Sequence, residues 1–293
     1  MPLLLLVVLS LMLTACTGSQ SAATPTPLPD AQTLLNKAAS EVQNAKTIKI
    51  KLQLTGAPSF VDPPATPGGL GNNISFISAN GLYVAPDKFS ATVSAALFGV
   101  PGSVDVIAIA DDQWMKNQIL TAGHWVARVF SPGFNAAKLI SSSEGIQAAL
   151  KAFKNIKMVG VENIDGQDMY HISGTADGAE IASLTVGLIR GTVVNVDVYI
   201  RVDTGRADRV IMVQPDTVTS KEPKPTTWTL ELFDYNADAQ IIAPDTGGTP
   251  AATASAATSQ TTMQGVIQQT FQQPSASPDN STAPATEQAT QAQ

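Results

Sequence analysis

The chain has 293 residues, with 24 acidic side chains against 17 basic ones and a formal net charge of −7. No basic excess is available to neutralise a phosphate backbone, so nucleic acid is excluded as the expected partner. Composition then divides the length. Residues 1–15 are an apolar leader, residues 16–29 a Thr- and Pro-rich stretch, and residues 244–293 a run of Ala, Thr, Gln, Ser and Pro with few large apolar side chains. What remains, 30–243, suffices for one good-sized domain. It holds 17 basic and 21 acidic residues, a nearly balanced set that creates no field to steer an anion. Any ligand is expected to be held by shape and apolar contact.

The single cysteine, Cys16, excludes an internal disulfide and a cysteine-based metal site. Leu3 to Leu13 is an apolar run followed by Leu13-Thr14-Ala15-Cys16, which looks like the bacterial lipobox cleaved before a lipid-modified cysteine. Eleven residues at 1.5 Å each fall short of a hydrocarbon core about 30 Å thick. The sequence therefore predicts a lipoprotein signal peptide over 1–15, a lipidated Cys16 opening a flexible tether over 16–29, and a location on the extracytoplasmic face of the cell membrane. The leader departs from the usual pattern in carrying no Lys or Arg.

From Asp30, an N-cap residue before Leu34, Leu35, Ala38, Ala39 and Val42 predicts an amphipathic helix. Ile48, Ile50, Leu52 and Leu54 alternate with polar residues, as in a half-buried antiparallel strand. Residues 57–73, rich in Pro and Gly, predict a long loop. Strands resume at 74–84 and 88–98; in the second, Phe89, Ala91, Val93, Ala95 and Leu97 share a face. A hairpin follows over 104–116 around Asp111-Asp112, with a short strand over 125–130. A helix is expected over 136–153, interrupted near Ser141-Ser142-Ser143 and Gly145. Asp165-Gly166 joins strands 157–164 and 169–174, and residues 179–188 read as helix or a mobile cover. Strands over 194–202, 209–214 and 227–233 complete the series. The fold class is α+β: a curved antiparallel sheet of about nine strands, one helix before it and one or two in its middle. The tail, 244–293, predicts disorder despite Val266, Ile267 and Phe271.

Reactive constellations are scarce. The sequence contains no G-x-S-x-G elbow, Walker loop or H-E-x-x-H motif, so no catalytic residue, metal ligand or cofactor is assigned and the chain is not read as an enzyme. Gly68-Gly69-Leu70-Gly71 lacks the strand and helix a phosphate cradle needs, Asp111-Asp112 reads as a turn, and His124 and His171 read as surface residues. The alanines among the inward residues of 89–97 leave room for either ordinary packing or a cavity. A cavity costs stability, on the order of 24 cal/mol per Å³.

The order of segments resembles the LppX/LprA/LprF/LprG group of bacterial lipoproteins. The resemblance runs from Leu34-Leu35-Asn36-Lys37-Ala38-Ala39 through Gly145-Ile146-Gln147-Ala148-Ala149-Leu150, Val161-Glu162-Asn163-Ile164-Asp165-Gly166-Gln167-Asp168 and Tyr170-His171-Ile172-Ser173-Gly174 to Val198-Tyr199-Ile200 and the strand at 228–233. It implies a curved half-barrel with helices over its concave side, enclosing an apolar cavity for acyl chains of a lipid or glycolipid. On that reading the cavity is lined by Val93, Ala95, Leu97, Val104, Val106 and Ala108, with Val196, Val198 and Ile200. The partners are then an acylated lipid, the membrane through Cys16, and an unidentified transporter. A surface scaffold without lipid cargo is the alternative. The insertion 57–73 and the tail are not part of the group's usual pattern.

Overall fold

The structure is a computed structural model that describes residues 27–61, 73–131, 134–185, 187–189, 191, 193–247 and 252–253. The leader, Cys16, most of the tether, Gly68-Gly69-Leu70-Gly71 and the tail residues Val266, Ile267 and Phe271 lie outside the described residues.

Helix α1 (Ala31–Gln43) starts where Asp30 accepts a hydrogen bond from the Thr33 amide at 2.8 Å, which satisfies one of the helix's unpaired donors. Its apolar stripe, Leu34, Leu35, Ala38, Ala39 and Val42, is buried. Next come β1 (Thr47–Thr55), β2 (Ile74–Val84), β3 (Lys88–Leu97), β4 (Val100–Ile109), β5 (Asp112–Lys116) and β6 (Val126–Ala127). A 3-10 turn over Ala136–Ile140 leads to α2 (Gly145–Lys151), β7 (Lys154–Ile164), β8 (Gln167–Asp177) and α3 (Gly178–Ile181). Strands β9 (Val193–Arg201), β10 (Ala207–Gln214), β11 (Thr226–Phe233) and β12 (Ala252–Thr253) complete the chain.

The strands make one open antiparallel sheet in the order β12-β5-β4-β3-β2-β1-β11-β10-β9-β8-β7, with β6 paired to β5. Because side chains alternate faces with period two, the register fixes what each face carries. Met158, Ile172, Val198, Val210, Leu230, Leu52, Ala79, Val93 and Val104 stand as successive cross-strand partners on nine neighbouring strands. That apolar row lies on the concave face. One position along, the outer face carries His171, Tyr199, Arg209, Glu231, Lys51, Asn80, Thr92, Asp105 and Lys116 in unbroken register. Arg209 meets Glu231 at 3.2 Å, Lys51 meets Glu231 at 3.1 Å, and Lys116 meets Asp105 at 3.2 Å. One face of the sheet is thus apolar and covered, the other polar and solvated, as an antiparallel sheet permits.

The helices cover the β1 and β8–β11 part of the concave face. Residues of α1 and α2 share one buried cluster with Ile48, Leu52, Ile172, Val194, Val196, Val198, Ile200, Val210, Met212, Trp228, Leu230 and Leu232. Trp228 is fully buried, and its indole N–H donates to Gln214 Oε1 at 2.9 Å. The helix expected over 136–153 is split in two by Gly145. Its backbone is left-handed (φ +76°), and a Cβ there would lie 2.2 Å from the Leu139 carbonyl oxygen, a conformation and a clearance that only glycine allows.

The sheet has more strands than the nine expected. β12, two residues long within the tail segment, is too short to leave an alternating pattern. Strand β4 begins at Val100 rather than Val104, because Pro101 and Gly102 obscure its first half. The short strand expected over 125–130 shrinks to Val126–Ala127, while residues 178–185 are helical and 3-10. Strand β7 is the last of the sheet and has register breaks between Lys154 and Lys157 and between Met158 and Gly160.

Candidate functional site: the concave face

All nine residues expected to line a cavity have their Cβ on the concave face. Val93, Val106 and Ala108 sit on β3 and β4 through the pairs Val93↔Val104, Ala91↔Val106 and Phe89↔Ala108; Val196, Val198 and Ile200 sit on β9. The structure does not gather them into one place. Four strands, β2, β1, β11 and β10, separate β3 from β9, which carries the far members of the set. Val196, Val198 and Ile200 are buried under the helices. Val106 and Ala108 belong to a second cluster with Ala91, Met115 and Phe130. Ala95 and Leu97 are half-buried near the tip of β3, in neither cluster's buried set.

The two clusters meet at Phe89, Val93 and Phe134, which pack against both. Small residues make this seam possible. A Cβ on Gly81 would come within 2.9 Å of the Phe89 ring, so the glycine gives Phe89 its place. Phe134 then stands with its ring centroid 5.7 Å from Phe89 and 5.9 Å from Phe130, in the tilted arrangement that aromatic pairs favour. The room left by Gly81, Ala91 and Ala108 is taken by three phenylalanine rings.

What covers the second cluster is irregular backbone, residues 128–131 and Phe134, held by a side chain that sequence reasoning passed over. Gln113 on β5 is fully buried. Its Nε2 donates to the Ser131 carbonyl at 2.9 Å and the Phe134 carbonyl at 3.5 Å, and its Oε1 accepts from the Phe130 and Ser131 amides at 3.0 Å each. The Gln113 carbonyl takes the Arg128 amide at 3.0 Å. One amide group therefore does for this segment what a neighbouring strand would otherwise do. The polar groups of a buried loop must be paired somewhere. The only signal in sequence was a polar residue at an inward position of a short strand.

Two open concavities among the described residues lie away from this face. One, of about 360 Å³, is on the outer face over Leu82, Ile107, Thr92 and Asp105, between Phe233 and Trp125. The other, of about 350 Å³, is formed by Arg201, Thr204, Arg206, Asp208, Phe233, Asp234 and Tyr235. There burial raises the Asp208 carboxyl to about 6 against the pull of Arg201, and burial raises the Tyr235 phenol as it donates to the Ala207 carbonyl at 2.8 Å. Arg201 pairs with Asp203 at 2.9 Å and Arg206 with Glu41 at 3.4 Å, so both guanidinium groups are already engaged.

On the outer face His171 bridges three strands. Its ring nitrogens lie 2.6 Å from Glu162 Oε1 and 2.7 Å from Asp197 Oδ1, and its ring stacks on Tyr199 at 4.6 Å. Burial opposes its charge, but the hydrogen bonds to Asp197 and Glu162 outweigh it and raise the imidazole above its usual range. Asp111 accepts from Asn135 Nδ2 at 3.2 Å beside the β4–β5 turn. Among the described residues no three His, Cys, Asp or Glu side chains are grouped to hold a metal ion, and no helix is long and apolar enough to cross a membrane.

Residues 30–241 match the family model described as LppX_LprAFG lipoprotein. Among solved structures, the chain is similar to LprF from Mycobacterium bovis at 14% identity, covering 75% of this chain and 99% of that one with a TM-score of 0.56. It is also similar to the Mycobacterium tuberculosis lipoprotein LppX at 17% identity, covering 73% of this chain and 100% of that one with a TM-score of 0.46. The likeness to LprF supports the half-barrel fold. No curated protein sequence matches the chain.

Proposed function

We propose, because the chain belongs to the LppX_LprAFG lipoprotein family, that it is anchored to the extracytoplasmic face of the cell membrane through Cys16 and carries or presents an acylated lipid on its concave face. The observation that carries the reading is the uninterrupted apolar row across nine strands, half of it covered by helices and half by a loop that one amide holds. An acyl chain enters at the seam of Phe89, Val93 and Phe134 when Phe130 and its neighbours over 128–131 move off the β3–β5 end. Each CH₂ taken from water contributes about 0.8 kcal/mol. A long chain thus brings on the order of 10 kcal/mol, against the ordering of the lipid and the displacement of three aromatic rings. The head group remains at the rim, where the mixed surface offers hydrogen bonds of either polarity.

Lipid extraction from the purified, unlipidated protein followed by mass spectrometry tests the cargo. Stoichiometric lipid supports a carrier, and a clean protein leaves a surface scaffold. Ala95→Trp supplies the residue-level test. On the carrier reading the indole occupies acyl-chain space, so thermal stability changes little while fluorescent-lipid binding falls. In a filled core it overpacks the site and costs about 1–3 kcal/mol. The anchor is tested separately: Cys16→Ser releases the protein from the membrane fraction, and retention in high salt after that substitution defeats the assignment.

A further inference from the structure

One corner of the half-barrel, at the tips of β3, β4 and β5, differs sharply in chemistry from the turns at the opposite end. At one end lie the turns 85–87, 110–112, 165–166, 202–206 and 234–238, which together carry seven aspartates and one arginine. At the other end the loop 215–225 carries Asp216, Lys221, Glu222 and Lys224, while the β3–β4 hairpin and the loop following β5 form a separate corner. No Asp, Glu, Lys or Arg occurs over 89–104 or over 117–124. Three of the most exposed large apolar side chains project here: Phe98 (67%), Val100 (69%) and Ile119 (80%).

These side chains are presented by ordered backbone. Phe98 and Gly99 form the two-residue turn of the hairpin, both left-handed (φ 51° and 81°). Such a turn favours Asn or Gly at its first position, since a bulky side chain there crowds its own carbonyl. A phenylalanine in that position, with its ring in solvent, gains nothing from packing that would offset the strain. The Phe98 amide donates to the Asn73 carbonyl at 2.7 Å. Asn117 orders the neighbouring loop: Oδ1 accepts from the Ile119 and Leu120 amides at 2.8 and 2.7 Å, and Nδ2 donates to the Ser103 carbonyl of β4 at 2.7 Å. That last bond ties the two apolar tips into one patch.

We infer that this corner of the sheet docks on a phospholipid bilayer, with Phe98, Val100 and Ile119 inserted at the headgroup boundary. The charge pattern selects this occupant: an uncharged apolar tip fits the membrane interface, while the aspartate-bearing end is repelled by an anionic leaflet. The tether does not oppose it. Fourteen residues from Cys16 to Asp30 reach about 46–50 Å when extended. The ten residues of β3 span about 33 Å. The inference deepens the carrier reading and rests on it for its purpose, since it sets the rim of the concave face against the bilayer from which an acyl chain would pass.

The test uses the processed chain beginning at residue 16 with Cys16→Ser, given one new cysteine by Phe98→Cys, Ile119→Cys or Asp203→Cys and labelled with an environment-sensitive fluorophore. Vesicles of phosphatidylcholine and phosphatidylglycerol, with and without brominated acyl chains, are added. Several-fold enhancement and bromine quenching are expected at 98 and 119 and not at 203; equal responses at both ends, or none at 98, overturn the inference. Phe98→Asp combined with Ile119→Asp is expected to lower vesicle partition at least tenfold without lowering the melting temperature. If the same pair instead dissociates a dimer in vesicle-free sedimentation, the patch is a contact between copies and the inference fails. Extracted lipid is measured on every sample. Tip insertion without cargo defeats the carrier reading alone, and cargo without tip insertion defeats this one alone.

Discussion

The concave face has two regions built on one continuous sheet and covered in opposite ways. Over β8–β11 two helices bring their own hydrogen bonds and a contiguous apolar stripe, so the cover needs nothing from the sheet but packing. Over β3–β5 the cover is loop with one backbone bond of its own, from the Phe134 amide to the Ser131 carbonyl at 3.1 Å, and the sheet supplies Gln113 to pair with the Phe130 and Ser131 amides and the Ser131 carbonyl. Packing is spread over dozens of contacts and fails gradually. A single amide fails all at once. The helix-covered region is therefore the scaffold and the loop-covered region the part suited to open.

Substitutions can break that distinction. Leu230→Ala in the helix-covered region removes a fully buried side chain and is expected to cost about 2–5 kcal/mol in global unfolding, read by denaturant titration. Gln113→Ala is expected to cost about 1–3 kcal/mol, the penalty for backbone groups left without partners. The effect is local: amide exchange over 128–131 and at Phe134 rises while that of β9 and β10 stays near wild type. Equal acceleration in both regions would show that they open as one.

Proton linkage sharpens the comparison, because its two clearest contributors, Asp208 and His171, both sit in the β7–β10 half. Asp208 has a carboxyl raised to about 6. The folded state binds that proton more tightly than the unfolded one, so stability is greatest below pH 4 for this group and declines as pH rises to 6. His171 is also raised, so its contribution is complete below about pH 6.5 and is lost as pH rises through the folded value. Asp208→Asn is expected to flatten the first window and His171→Gln the second, each measured as unfolding free energy against pH. The smallest effect is expected at Gln147, whose Oε1 is buried with no hydrogen-bond partner among the described residues while Nε2 donates to Gln43 at 2.8 Å. Gln147→Leu removes that orphan, and Gln43, being exposed, turns to water; stability is expected to stay equal or rise by about 1 kcal/mol.

The parts that sequence made legible are those governed by local alternation. Ile48 to Leu54, Phe89 to Leu97, Val194 to Ile200 and Trp228 to Leu232 each face the side their period assigned. The capped α1 and the break at Gly145 were likewise carried by neighbours in the chain. The split of the concave face into two covers was not legible, because it depends on which distant segment lies over each strand. Gln113 shows the difficulty most plainly: an isolated glutamine reads as solvent-facing, and only a backbone eighteen residues away makes it a buried fastening.

The register breaks of β7 have a consequence wherever many copies of the chain meet. An open sheet ends in a strand whose outward amides and carbonyls can recruit another chain, and β7 carries exposed Val159 and Val161. Its two irregularities and the exposed Lys154 and Lys157 interrupt the straight, uncharged stretch that strand addition requires. Many copies can then stand shoulder to shoulder without their sheets joining edge to edge into fibres.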